Sequence, residues 1–148
     1  MKKRGCSLGG KYVLDSFAVL AFLQGESGAP QVKQVLEHGR ANRDTLFLSV
    51  VNLSECLYIV ERNRGSAGAR QVLEALQECP IRIEPATERH ALVAARIKAA
   101  HRVSLADAYA VALALEQAAT VVTGDPEFKE VEGMLPVLWL PRSETCRA

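Results

Sequence analysis

Residues 119–128 read ATVVTGDPEF. The first five residues are small or β-branched and have the character of a buried strand. Gly124 breaks that run, and Pro126 suits the first position of a new helix, where a missing N–H would have had no partner in any case. Asp125 is left as the helix N-cap, a position its carboxylate fills well with no function at all. Whether it is only a cap, or an acid set at a strand's end for chemistry, depends on whether the same unit recurs along the chain.

Short runs rich in Val, Ile and Leu stand at 11–15 (KYVLD), 46–50 (LFLSV), 81–84 (IRIE) and 136–140 (PVLWL), besides 119–123. The runs at 11–15, 46–50 and 119–123 are almost continuously apolar, as strands covered on both faces tend to be, and only IRIE alternates, which suits an edge. Helical stretches lie between them. One carries Phe17, Leu20, Ala21 and Phe22 on one face, and a second runs from Pro30 to His38 with Gly39 as its stop. LSECLYIVERN closes at Gly65 and is followed by ARQVLEALQE. A further helix is shaped by Leu92, Val93, Ala95 and Ile97, and the Ala-rich LADAYAVALALEQAA must pack closely on something, most simply the sheet. Strands alternating with helices imply parallel crossovers. The expected fold is a single three-layer α/β/α domain on a parallel five-stranded sheet, spanning 11–141, with tails at 1–10 and 142–148.

The 148 residues suffice for one domain with a real core. Lysine and arginine number 18 against 17 acids, so the net charge of +1 neither announces nor excludes a nucleic-acid partner. Cys6, Cys56, Cys79 and Cys146 form no CxxC pair, and His38, His90 and His101 form no HxxxH pair, spacings that argue against zinc. The longest apolar run, Phe17 to Leu23, is too short to span a bilayer. Lys2, Lys3 and Arg4 lead into no signal-peptide core, so the expectation is a cytoplasmic chain without a membrane partner. There is no GxSxG, P-loop or GxGxxG, and the lone Asp15 with only Glu84 after the third strand does not make a phosphate-receiver site.

The acidic unit does recur. Asp15 ends the first strand in YVLDSF, Glu55 follows the second in SVVNLSEC, Asp107 stands near the start of the Ala-rich helix in RVSLADAY, and Asp125 ends the fourth strand. Each is expected in the first turn of a helix or as its cap. N-x-x-E at 52–55 and S-x-x-D at 104–107 both fit capping boxes, so a purely structural reading exists for every one of them. Taken together that reading weakens. In a parallel sheet the C-terminal strand ends share one rim, and four carboxylates converging there repel one another unless a cation intervenes. The suitable ion is hard and divalent, Mg²⁺ or Mn²⁺.

YVLDSFAVLAFL, the glutamate of LSECLYIV, SLADAYAVALA and VVTGDPEF, in this order, resemble the four acidic motifs of PIN-domain nucleases, in particular the VapC-type toxins of toxin–antitoxin pairs. The likeness runs from about Lys11 to Leu140. It implies that Asp15, Glu55, Asp107 and Asp125 are metal-binding and catalytic acids, that Thr123 steadies the last of them, and that Ser16 is the small residue beside the first. It further implies a Mg²⁺- or Mn²⁺-dependent endoribonuclease, an RNA substrate, a homodimer and a cognate antitoxin. The chain departs from the family's pattern in the roughly ten residues before the first strand and in the single acid at the fourth site, where Pro126 follows. Expected RNA contacts are Arg62, Arg64 and Arg102, with His101 beside the last; Arg40 and Arg43 fall at the opposite end. Two other readings stay open. One is an inert domain of the same fold that only binds a partner or dimerises, and the other is a DNA nuclease using the same chemistry.

Overall fold

The structure, a computed structural model, describes residues 9–142; the outer parts of both expected tails, 1–8 and 143–148, lie outside the described residues. The five strands are β1 (Lys11–Leu14), β2 (Thr45–Ser49), β3 (Ile81–Glu84), β4 (Thr120–Thr123) and β5 (Val137–Trp139). All pair in parallel, in the order β3-β2-β1-β4-β5. IRIE is an edge strand as its alternation predicts, and the continuously apolar strands are the three central ones.

Strand side chains point alternately to two cores. Leu14, Leu46, Leu48 and Val122 meet α1 (Ser16–Leu23), α2 (Ala29–Arg40) and α3 (Val50–Gln77). Val13, Phe47 and Val121 meet α4 (Glu88–Ala100) and α5 (Leu105–Gln117). The Ala-rich sequence works as expected, for Ala106, Ala108, Ala110, Ala112 and Ala114 are all buried and let α5 approach the sheet closely. No helix among the described residues is long and apolar enough to cross a membrane.

Two local expectations are corrected and a third holds. Gly39 is no helix stop: α2 continues to Arg40, and a Cβ at Gly39 would lie 2.8 Å from Leu46 Cδ1, so the glycine serves helix–strand packing. Leu92 does not help seat α4 in the core; it is 62% exposed, while His90, Ala94 and Ile97 face inward. Gly65 does close the helix that begins α3, as expected: its φ of 73° and ψ of 178° are non-helical and favour glycine, and a second helical piece follows at once. Gly124 carries a further constraint, since a Cβ there would sit 2.3 Å from the ring of Phe17.

Register decides what faces the C-terminal rim. Leu14 is paired with Leu48 on one side and Val122 on the other. The next residues, Asp15, Ser49 and Thr123, therefore emerge side by side where three strands end.

Candidate metal centre

Asp15 is the N-cap of α1, and the Ala18 N–H donates to its Oδ1 at 2.9 Å. Its Oδ2 accepts a hydrogen bond from the Thr123 hydroxyl. The same Thr123 oxygen accepts the Asp125 N–H at 3.0 Å. Thr123 thus holds the first carboxylate through its side chain and the last acid only through the backbone, a change from the role expected for it. Asp125 caps the short 3₁₀ helix Pro126–Glu130, its Oδ1 accepting the Glu127 N–H at 2.9 Å.

The second acid is positioned differently from the expectation. The N-cap of α3 is Ser49, whose Oγ accepts the Val51 N–H at 3.2 Å. The N-x-x-E box at 52–55 is not formed, and Glu55 lies in the second helical turn. Asn52 is turned inward and fully buried. Its Nδ2 donates to Ser16 Oγ at 3.1 Å, while Ser16 Oγ donates to the Asn52 carbonyl at 3.4 Å. Ser16, beside the first acid, therefore ties α1 to α3 close to both Asp15 and Glu55. The Oδ1 of Asn52 has no partner.

At the start of α5 the S-x-x-D box is half formed. The Asp107 N–H donates to Ser104 Oγ at 3.1 Å, but the Ser104 N–H goes to Glu127 Oε1 at 3.2 Å instead of to Asp107. Oδ2 of Asp107 is buried and has no hydrogen-bond partner. An acceptor buried that way costs about 1–3 kcal/mol unless something fills the site. Oxygen atoms of Asp107, Asp125 and Glu127 lie within 4.8 Å of one another, so Glu127 joins the acids that the sequence brought forward. It stands in the same quoted stretch, DPEF, but nothing in the linear sequence says that its carboxylate crosses to a helix more than twenty residues earlier.

The electrostatics follow from burial and crowding. Burial pushes the Asp15 carboxyl up to about 7; the Thr123 and Ala18 hydrogen bonds hold it down, and the charges of Asp125 and Glu55 raise it further. Burial likewise takes Asp107 up to about 8, with the charges of Asp15 and Asp125 and a carboxyl–carboxyl contact with Glu127 adding to the rise and the Ser104 hydroxyl opposing it. Among the described residues no lysine or arginine pairs with any of these acids; the ion pairs found are His38–Asp44 and His90–Glu116. Left alone, the cluster holds protons near neutral pH. A hard divalent cation would be met by an all-oxygen donor set that includes one buried oxygen with nothing else to bind. The donors fit such an ion. Cys56, buried behind Ser16, is pushed up to about 12 by burial and is no nucleophile at neutral pH.

Of the expected RNA contacts, Arg102 sits just before α5, its backbone N–H donating to Glu130 Oε1 at 3.3 Å, one turn along the 3₁₀ helix from Glu127. Arg62 lies over the Tyr58 ring at 5.0 Å, and Arg64 donates to Gln71 at 3.2 Å. Both stand about 10 Å or more further along α3 from Glu55, by the 1.5 Å rise of a helix. Arg62 also lines a concave surface of about 600 Å³ with Val50, Leu53, Leu57 and Tyr58.

The profile of the PIN domain family matches residues 12–134. Ribonuclease VapC28 of Mycobacterium tuberculosis and VapC ribonuclease Mb0625 of Mycobacterium bovis are each 30% identical over 82 residues, 55% of this chain; the chain spans 59% of the length of these relatives. Among solved structures, VapBC2 of Rickettsia felis bound to a promoter DNA fragment aligns with a TM-score of 0.68 at 17% identity, covering 88% of this chain and 99% of the other. DNA-bound VapBC of Salmonella typhimurium gives 0.67 at 17% identity, covering 87% and 97%. VapC20 of Mycobacterium tuberculosis, a sarcin–ricin loop cleaving toxin, gives 0.64 at 18% identity, covering 81% and 93%. At these identities the structural likeness is one of fold.

Proposed function

The chain belongs to the PIN domain family, and from that membership and the carboxylate cluster we propose that it is a divalent-metal-dependent endoribonuclease, the toxin of a type II toxin–antitoxin pair. The observation that carries the proposal is the buried, unpartnered Oδ2 of Asp107 among acids that no basic residue pairs with among the described residues. Asp15 and Asp107 are the principal holders of Mg²⁺ or Mn²⁺, and Glu55 and Asp125 complete the shell. When bound, the ion acidifies water and neutralises charge on the phosphoryl oxygens.

The chain's own residues do the rest. Thr123 and the Ala18 N–H fix both oxygens of Asp15, so that carboxylate is preorganised and does not have to be ordered during the reaction. Glu55, half-buried at the edge of the cluster, accepts the proton of the attacking water, the part a general base plays in hydrolysis. Arg102, just before α5, would meet a phosphate beside the acids, and Arg62 with Arg64 would extend that contact along α3. Backbone phosphates are the natural targets of such arginines, which position nucleic acid without reading its sequence.

An RNA substrate and a cognate antitoxin complete the proposal, supported by the names of the relatives and the toxin–antitoxin complexes among the fold neighbours; a homodimeric assembly and a cytoplasmic site of action belong to it as what the family resemblance implies. The test is a digest of a mixed RNA pool with purified wild type and Asp107→Asn, each with and without chelator. Cleavage by wild type alone, abolished by chelator and restored by Mn²⁺, is the expected result. Cleavage that survives both the chelator and the substitution would reject the assignment.

A further inference from the structure

We propose that Glu127 is the residue that keeps Asp107 available to a cation, by taking over a hydrogen bond that Asp107 would otherwise accept. The inference rests on the metal-centre reading above and adds to it a device that sets the reach of one ligand.

In an ordinary S-x-x-D start the serine accepts the N–H of the third helical residue, and that residue's carboxylate returns to the serine N–H. Here only the first half is local, Asp107 N–H to Ser104 Oγ at 3.1 Å. The second half is supplied from another element, Ser104 N–H to Glu127 Oε1 at 3.2 Å. The Asp107 carboxylate is thereby freed of the Ser104 N–H, and its Oδ2 is buried without a hydrogen-bond donor, beside Asp125 and facing the Glu127 carboxyl. Glu127 is itself fixed to the site, because its N–H donates to Asp125 Oδ1 at 2.9 Å.

The surrounding bonds show that the junction is held on both sides. One turn along the same 3₁₀ helix, Glu130 accepts the Arg102 N–H at 3.3 Å. Lys98 Nζ donates to the Val103 carbonyl from α4 at 3.1 Å. Three successive residues at the mouth of α5 are thus clamped, and the clamp registers Asp107 on α5 against Asp125 at the end of β4. Without Glu127 the Ser104 N–H would be open, and the carboxylate that an S-x-x-D start turns back to it is that of Asp107. The capping box would then complete itself at the expense of the metal centre.

Reach and charge separate this role from that of an additional ligand. Glu127→Gln keeps an acceptor at the same distance and removes the charge; Glu127→Asp keeps the charge and shortens the arm by one methylene. Mn²⁺ affinity is measured by calorimetry for wild type, Glu127→Ala, Glu127→Asp and Glu127→Gln, with the Ser104 amide followed by ¹⁵N–¹H spectroscopy in each. Loss of an outer hydrogen bond to a metal site usually lowers affinity by about 10–100-fold. The expected result is a fall of that size for Ala and Asp with a moved Ser104 amide, and recovery of most of the affinity and of the wild-type amide position in Gln. Affinity retained by Asp but lost by Gln would make Glu127 a ligand through its charge and overturn the proposal, as would wild-type affinity in Ala. If wild type itself failed to bind Mn²⁺, the metal-centre reading would fall, and this inference with it.

Discussion

The two rims of the sheet use aspartate in opposite ways. At the N-terminal rim, Asp44 accepts the Gly10 N–H at 2.8 Å and pairs with His38 Nδ1 at 3.3 Å. Arg40 beside it donates to the Glu78 carbonyl at 3.3 Å. Acid, base and open backbone groups are matched there, although Asp44, Pro80 and Arg82 line a concavity of about 480 Å³. At the C-terminal rim, Asp15 and Asp107 are almost wholly buried, face other acids and have no basic partner among the described residues. A hollow is therefore a poor guide to chemistry in this molecule. Uncompensated charge is the better one, since a fold retains buried like charges at a cost unless something binds between them.

The contrast is broken most severely by substitutions that compare the rims directly. Asp107→Asn or Asp15→Asn should lower RNA cleavage by at least about 10³-fold, since both the electrostatic stabilisation and the ion's grip are lost. Asp44→Asn should leave cleavage unchanged. A kinetic assay on the three purified variants checks this, with circular dichroism confirming that each is folded.

Next in size is the pH dependence of stability without metal. Asp15 and Asp107 have folded-state values near 7 and 8 against an ordinary 3.8, so the folded chain binds protons that the unfolded chain has released. Their contribution is fully present below the unfolded value and is lost as pH rises through about 7 and 8. Chelated protein should hence melt higher at pH 5 than at pH 8, by on the order of 5 °C or more, and Asp107→Asn should flatten the profile. A melting temperature that rose with pH would reverse the sign and contradict the buried-acid account.

Smaller effects sharpen the comparison. Ser16→Ala leaves the buried Asn52 amide without its hydroxyl partner and should destabilise by about 1–3 kcal/mol in denaturant unfolding. Because the lost bond joins α1 to α3, the variant should also weaken Mn²⁺ binding. Asp44→Ala removes an exposed hydrogen bond and a pair to a half-exposed histidine, so about 1 kcal/mol is expected, with no change in Mn²⁺ affinity.

The order of strands and helices was legible because each carries its own period, and so were the edge position of IRIE and the caps at Asp15, Asp125 and Ser104. The acids Asp15, Glu55, Asp107 and Asp125 stood out because four strand ends or helix starts carried a carboxylate. What could not be read were choices settled between elements. Gly39 looks like a stop until Leu46 is placed against it. Asn52 looks like a cap until β2 ends at Ser49 and turns the side chain into the core. Thr123 stands two residues before the last acid, but its hydroxyl donates to the first, at the end of the neighbouring strand. Glu127 lies beside Asp125 in the chain, yet its hydrogen bond is to a helix that local pattern assigns to Asp107. Each miss is a tertiary partner displacing a local one, which periodicity and capping rules cannot register.

The most direct measurement is anomalous diffraction from crystals grown with Mn²⁺. The account predicts a peak at the C-terminal rim with oxygens of Asp15 and Asp107 about 2.2 Å from it, the usual range for a hard ion and carboxylate oxygen, and none at Asp44. Ordered, empty carboxylates at that rim in saturating Mn²⁺, or a peak only at the opposite end of the sheet, would contradict it.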